Sequence, residues 1–416
     1  MSQDLARVPG QPLMNQRRAY RVLWIAAVLS FLASFGIALP YPVLTPLLVV
    51  DGTPLSQWFG LEPKLLLGLA LGAYPLGMLV GSNVIGSWSD QYGRRPVILW
   101  TMVGAMLGYG LSIVAIMNYS FTLLLLSRLL AGFCEGNVAV FRAMASDLGD
   151  YIPRTKIFSW SLTATFLGWT FGPLAGGLLV EWGAERVFMA GLVMLLAGWL
   201  LVFFSLKGEA RPQQKPQQTG QAWTLFSLAD IRAFAWMHLF ACLAVNAFYE
   251  FYPLWLVERF NSTGLGIAWF TLALQVGMLS SSMFLMRYSE QRFGLLPTMR
   301  GSLLLLALGL LLVPTMPVLA AAMLMFTVIG VMNSTFFGTF MADYSERFRH
   351  YGQGRILGLI TLNFSLSAVI MAFGGGLLSL LGASWVLVFG GLLALLSLLI
   401  GLPLHARPMV TAEAQA

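Results

Sequence analysis

Apolar runs, each long enough to cross a bilayer and each followed closely by the next, leave this chain few structures to adopt. A spanning helix needs about 20 apolar residues, and runs of that length recur from near residue 22 to near residue 404, for example over 65–88, 121–146, 234–257 and 384–404. In hydrocarbon, backbone N–H and C=O groups must be satisfied within the segment itself, so such runs are helices. The alternating pattern of a membrane barrel is absent. Only 10% of the 416 residues are charged while 58% are hydrophobic, against roughly 25% charged in soluble domains. The pattern predicts an all-α membrane protein with twelve transmembrane helices.

The runs fall into two sets of six. Between them lies 207–232, rich in Pro, Gln and Lys, with too little apolar surface to fold alone. It reads as a cytoplasmic linker joining an N-terminal six-helix bundle, 1–206, to a C-terminal six-helix bundle, 233–416. Two echoes support the division. Ser89-Asp90-Gln91-Tyr92-Gly93 returns as Ser289-Glu290-Gln291-Arg292-Phe293-Gly294, and Gly176-Gly177-Leu178 returns as Gly375-Gly376-Leu377. Weak symmetry of this kind is expected of carriers whose halves rock about a central site. Most of the 24 Lys and Arg residues collect in loops on the side of the N-terminus, which places both termini in the cytoplasm. The net charge of +7 is explained by this bias, since its residues are spread through short loops and form no basic face for nucleic acid. Cys134 and Cys242 both lie in apolar runs and imply no disulfide framework.

The stretch Gly86-Ser-Trp-Ser-Asp90-Gln-Tyr-Gly93-Arg94-Arg95 gathers a carboxylate, a glycine and two guanidiniums between the second and third runs. Asp90 is placed to accept from a helix N-terminus, the arginines to meet carboxylates or lipid phosphates, and glycine to let the turn form. The stretch resembles the loop signature Gly-x-x-x-Asp-x-x-Gly-Arg-[Arg/Lys] of the major facilitator superfamily. Three more stretches resemble the same superfamily, and its drug:proton antiporter branch in particular. Gly36-Ile-Ala-Leu-Pro40-Tyr41-Pro42-Val-Leu-Thr-Pro46 looks like the branch's first-helix pattern of a glycine followed by spaced prolines, which bend a span and free carbonyls. Arg128-Leu-Leu-Ala-Gly132 is similar to the Arg-x-x-x-Gly pattern of the fourth helix, and Asp147 and Arg154 match the charges that follow it. Gly168-Trp-Thr-Phe-Gly172-Pro173-Leu-Ala-Gly176-Gly177 looks like the signature of the antiporter helix, whose glycines leave a groove for a neighbouring helix to approach and slide in. The resemblance implies the major facilitator fold and proton-coupled export of a small amphipathic compound or drug, by a monomer in the inner membrane, with no cofactor or metal.

Charge inside a span is functional by default. Arg128, Glu135 and Arg142 lie within about 20° of one stripe of a continuous helix, each about 10 Å beyond the last. Glu135 and Arg142 are not part of the family pattern. Arg128 and Arg142 on one stripe motivate the alternative of an exporter of an anionic metabolite, siderophore or lipid-linked sugar. Glu250, in Asn246-Ala-Phe-Tyr249-Glu250-Phe-Tyr252-Pro253, has no basic residue within a turn and lies among aromatic rings. It is expected to be the proton-coupling group, and Glu135, the other acid deep in a span, to be mainly the partner of Arg128 or Arg142. Tyr41, Arg128, Glu135, Arg142, Asn246, Tyr249 and Glu250 are the expected cavity lining. His238, His350 and His405 are scattered, and the chain holds no zinc pattern, nucleophile elbow or phosphate loop. These residues predict no enzyme. A channel or a non-transporting receptor is the alternative of another class.

Overall fold

The structure is a computed structural model and describes residues 16–50, 52–149, 151–206, 228–348 and 353–404. Most of the expected linker, 207–227, and both chain ends, with His350 and His405, lie outside the described residues. Among the described residues, twelve helices are long and apolar enough to cross a membrane: Gln16–Val50, Pro63–Tyr92, Arg94–Met117, Phe121–Ser146, Ser159–Trp182 and Ala184–Ser205, then Ile231–Phe260, Gly264–Phe293, Leu295–Thr315, Leu319–Tyr344, Gly358–Leu381 and Ala383–Pro403. We number them spans 1 to 12. The described residues contain no strand.

Tight glycine turns repeat at matching places in the two sets of six. Gly93 (φ 96°) joins spans 2 and 3 as Gly294 (φ 87°) joins spans 8 and 9. Gly183 (φ 122°) joins spans 5 and 6 as Gly382 (φ 117°) joins spans 11 and 12. Only glycine adopts such backbone without strain, so the internal repeat is visible in turn geometry as well as in letters.

Within each half, helices meet through glycines, as expected where lipid tails remove the hydrophobic drive and close backbone packing must replace it. A Cβ on Gly168 would lie 2.7 Å from the Phe31 carbonyl and one on Gly172 2.7 Å from that of Phe35. The expected groove of the antiporter helix is therefore filled by span 1, and Gly176 meets span 1 at Leu39. Gly177 points elsewhere, to Gly264 and Ala268 of span 8.

Two spans are interrupted. Span 1 runs as Gln16–Ala38, turns at Leu39 and Pro40, and resumes as Tyr41–Thr45 and a wide turn Pro46–Val50, consistent with the expected effect of its prolines. Span 4 is helix over Phe121–Glu135 and again over Val138–Ser146. The expected continuous stripe of Arg128, Glu135 and Arg142 is thus broken between its second and third members. Gly136 packs on the backbone of Gly81 and Ser82, and Asn137 donates to Thr101 Oγ1 at 3.0 Å. The backbone amides at the break still bond within the span, Asn137 to the Cys134 carbonyl at 3.3 Å and Ala139 to that of Gly136 at 3.2 Å.

The halves touch at the face opposite the arginine-rich loops. Lys64 Nζ of span 2 meets Glu258 Oε1 of span 7 at 2.6 Å. Just beneath, the Cβ that Gly68 lacks would fall 2.8 Å from Gly376 Cα of span 11. Spans 5 and 8 cross at Gly177 and Ala268. At the other face, span 5 exposes Trp160 and Leu162 and span 8 exposes Met283 and Phe284.

Candidate functional site

Three groups of polar residues stand where the fold brings the spans together. The first lies at the arginine-rich face. Span 2 ends at Tyr92, the chain turns at Gly93, and Arg94 opens the next helix. Arg94 Nη1 donates to Asp90 Oδ1 at 2.9 Å and to Ser89 Oγ at 2.8 Å, and its Nε reaches Asp147 Oδ2 at 3.2 Å. Asp90 therefore meets a guanidinium and not a helix N-terminus. One guanidinium thus bridges two carboxylates, through Asp90 Oδ1 and Asp147 Oδ2. Arg95 donates to the Phe203 carbonyl at 3.0 Å, stitching this turn to the end of span 6. A Cβ on Gly86 would meet open space. Asp147, one of the two charges expected after the fourth helix, stands at the end of span 4, while the side chain of the other, Arg154, lies outside the described residues.

The second group is buried in the N-terminal half. Arg128 and Glu135 are 4% and 1% exposed. Their expected ion pair is not formed among the described residues. The Tyr74 hydroxyl of span 2 donates to Glu135 Oε2, and the Arg128 guanidinium lies 4.6 Å over the Tyr74 ring and 5.9 Å from the Phe188 ring. A desolvated cation over a ring face gains roughly 2 kcal/mol, which gives the arginine a partner other than the acid. Among the described residues, Glu135 Oε1 and Arg128 Nε have no hydrogen-bond partner, and the Tyr109 side chain lies close to both groups. Arg142, beyond the break in span 4, has an exposed side chain and makes no ion pair with Glu135 among the described residues.

The third group belongs to the C-terminal half. Glu250 is 3% exposed and its Oε2 has no partner. Asn246, one turn earlier, donates to Ser367 Oγ of span 11 at 2.8 Å and to the Cys242 carbonyl at 3.0 Å. Tyr249 donates to Met278 Sδ at 3.1 Å and accepts from Asn333 Nδ2 at 3.5 Å, tying spans 7, 8 and 10. These two expected cavity residues are thus committed to bonds between helices. Tyr41, just past the break in span 1, packs edge-on to Trp169 of span 5, ring centroids 5.7 Å apart.

Sequence reasoning missed Tyr74 and the pairing of Lys64 with Glu258, both of which join residues distant in the chain. For Tyr74 a signal existed, a polar aromatic beside Pro75 inside a long span. For Lys64 and Glu258 the only signal was charge at a span end.

The chain matches the model of the Major Facilitator Superfamily over residues 23–372. Over 182 residues it is 30% identical to the class B tetracycline resistance protein of Escherichia coli, a match that spans 43% of each chain, less than half of the relative's length. Its fold is similar to that of the human organic anion transporter MFSD10 (TM-score 0.63, 20% identity, 94% of this chain and 100% of that one). It is also similar to that of a D-xylose-proton symporter (TM-score 0.74, 14% identity, 94% and 98%).

Proposed function

The chain belongs to the Major Facilitator Superfamily, and from that premise we propose that it is a secondary transporter, not an enzyme, that exports a small amphipathic compound in exchange for protons. The observation that carries the reading is Glu250, a carboxylate buried in the spans with one oxygen unpartnered. A bare buried carboxylate is costly, so such a group is stabilised when it takes up a proton or meets a cationic ligand. Competition between the two for one site couples their movements with no further machinery. The similarity to a tetracycline resistance protein supports a lipophilic drug as the cargo and an inner membrane as the location.

With both termini in the cytoplasm, as the arginine bias implies, the Lys64–Glu258 face is the outer one and the structure is the state closed to the outside.

The test is counterflow and pH-jump uptake in proteoliposomes, with tetracycline as the first probe. Exchange of labelled for unlabelled probe, accelerated by a pH gradient of the right sign, supports the reading. Pore-like flux that does not exchange supports a channel instead. A second reading, export of an organic anion, is favoured by Arg128, a buried guanidinium whose Nε has no partner. Stabilisation of the purified protein by anionic siderophores and not by cationic drugs in a thermal-shift screen decides for it.

A further inference from the structure

Arg128 and Glu135 stand seven residues apart on one continuous helix, Phe121–Glu135. Their Cα atoms are therefore separated by about 10 Å along the axis and lie on nearly the same face. That is within the combined reach of the two side chains. Both are almost fully buried, where opposite charges attract far more strongly than in water. Reach alone would allow an ion pair across that gap, yet none forms among the described residues.

Tyr74 occupies the space between them. Its hydroxyl holds Glu135 Oε2, and its ring carries the Arg128 guanidinium at 4.6 Å. Span 2 is pinned here by backbone contact. The Cβ that Gly132 lacks would run into the Tyr74 main chain, and Gly77 has no room for one against the Leu129 carbonyl. The tyrosine cannot drift out of the way. On the far side, a Cβ on Gly36 of span 1 would lie 3.8 Å from Glu135 Oε1. The Tyr109 hydroxyl of span 3 donates to the Gly36 carbonyl at 2.8 Å. The titratable and charged groups facing Glu135 are thus Tyr74, Tyr109 and, from its own helix, Arg128 and Cys134.

We propose that Tyr74 is a positioning residue that keeps Glu135 from closing on Arg128, so that Glu135 Oε1 and Arg128 Nε stay available to a proton and to cargo. A closed pair would satisfy both groups internally and remove them from any exchange. Tyr74 thereby makes a second acid, in the half opposite Glu250, competent to load and release. This rests on the reading of the chain as a proton-coupled exchanger, but its test needs no transported compound.

The test is infrared difference spectroscopy of the purified full chain in lipid nanodiscs, recorded between mildly acid and mildly alkaline pH. The protonated-carboxyl band of Glu135 is the one missing from Glu135→Gln. Tyr74→Phe keeps the ring and loses the hydroxyl, and is expected to displace the midpoint of that band by about one pH unit or more, a tenfold change in proton occupancy, or to abolish it. Fluorotyrosine at position 74 keeps ring and hydroxyl while changing the acidity of the latter. It is expected to move the same band and serves should Tyr74→Phe not fold. An unaltered band in either replacement, or no Glu135 band in the wild-type protein, overturns the proposal. Failed exchange assays with an intact, Tyr74-dependent band would count against the transport reading alone.

Discussion

At the scale of single residues, the buried acids are set apart by what they touch. Among the described residues both acids keep one oxygen without a partner, but Glu135 is held through its other oxygen by a tyrosine, whereas Glu250 lies in a seam where Asn246 and Tyr249 are already engaged elsewhere. Glu250→Gln removes the ionisable group and leaves the shape, so pH-driven accumulation should fall to background while counterflow persists. Accumulation by that variant at the wild-type level would remove Glu250 from the coupling. Asp90 offers a second case. Its bond to Arg94 is charge-assisted on both sides, at 38% side-chain exposure for the acid and 10% for the arginine, and such bonds are roughly twice as strong as neutral ones. Asp90→Asn should cut exchange at least tenfold with insertion unchanged, measured as uptake normalised to protein in the membrane. Arg94 would keep Asp147 and Ser89 and lose the charge on its bond to residue 90, which weakens its hold on the end of span 2.

Among the helices, the glycines of span 5 set how closely span 1 can lie. Gly172 has the Phe35 carbonyl and the Ala38 and Leu39 backbone region where a side chain would go. Overpacking a close contact costs typically about 1–3 kcal/mol, and in this crossing the cost falls on the span that carries Tyr41. Gly172→Leu should therefore lower the melting temperature of the purified protein and abolish exchange. Normal transport by the variant would make the crossing incidental to function. Gly86 is the contrasting position, a glycine of the loop signature with open space around it. Gly86→Ala is expected to transport normally. Gly93, at φ 96°, is where the same signature needs glycine for its backbone, so a leucine there would be strained by about 1–3 kcal/mol.

For the whole molecule, the described contacts between the halves include an ion pair and, beneath it, two glycine crossings. Glu258 is doubly engaged, because its Oε2 also accepts from the Ala383 amide at 2.9 Å, where Gly382 starts span 12. The acid is anchored in its own half and offers Lys64 a fixed target. With side chains 28% and 27% exposed, the pair is worth about 1 kcal/mol at most, roughly a fivefold shift between two states. That suits a latch that must open in every cycle. Lys64→Ala and Glu258→Gln are each expected to raise the labelling rate of a cysteine placed near Gly68 from the Lys64 side severalfold, and the charge-swapped double variant to restore it partly. Equal labelling in all four proteins would show that the glycine crossings hold the face closed without the ion pair.

Much of this architecture was legible in one dimension. The need for about 20 apolar residues per crossing makes span number and approximate limits a property of local composition, and the fold matched them. Loop charge is likewise additive along the chain, and the glycine repeat survives because a positive φ constrains a single residue. What the sequence left open were relations between residues far apart in it. The stripe joining Arg128, Glu135 and Arg142 assumed an unbroken helix, but Gly136 and Asn137 leave the helix because spans 2 and 3 lie close enough to receive them. The ion pair assumed for Arg128 and Glu135 ignored Tyr74, which arrives from another span. Glu258 gave no hint of its partner, since Lys64 is brought to it only when the two halves dock. Burial is decided by hydropathy within one segment, whereas the partner of a buried charge is decided by which backbones can approach it, and that is settled only when the helices pack.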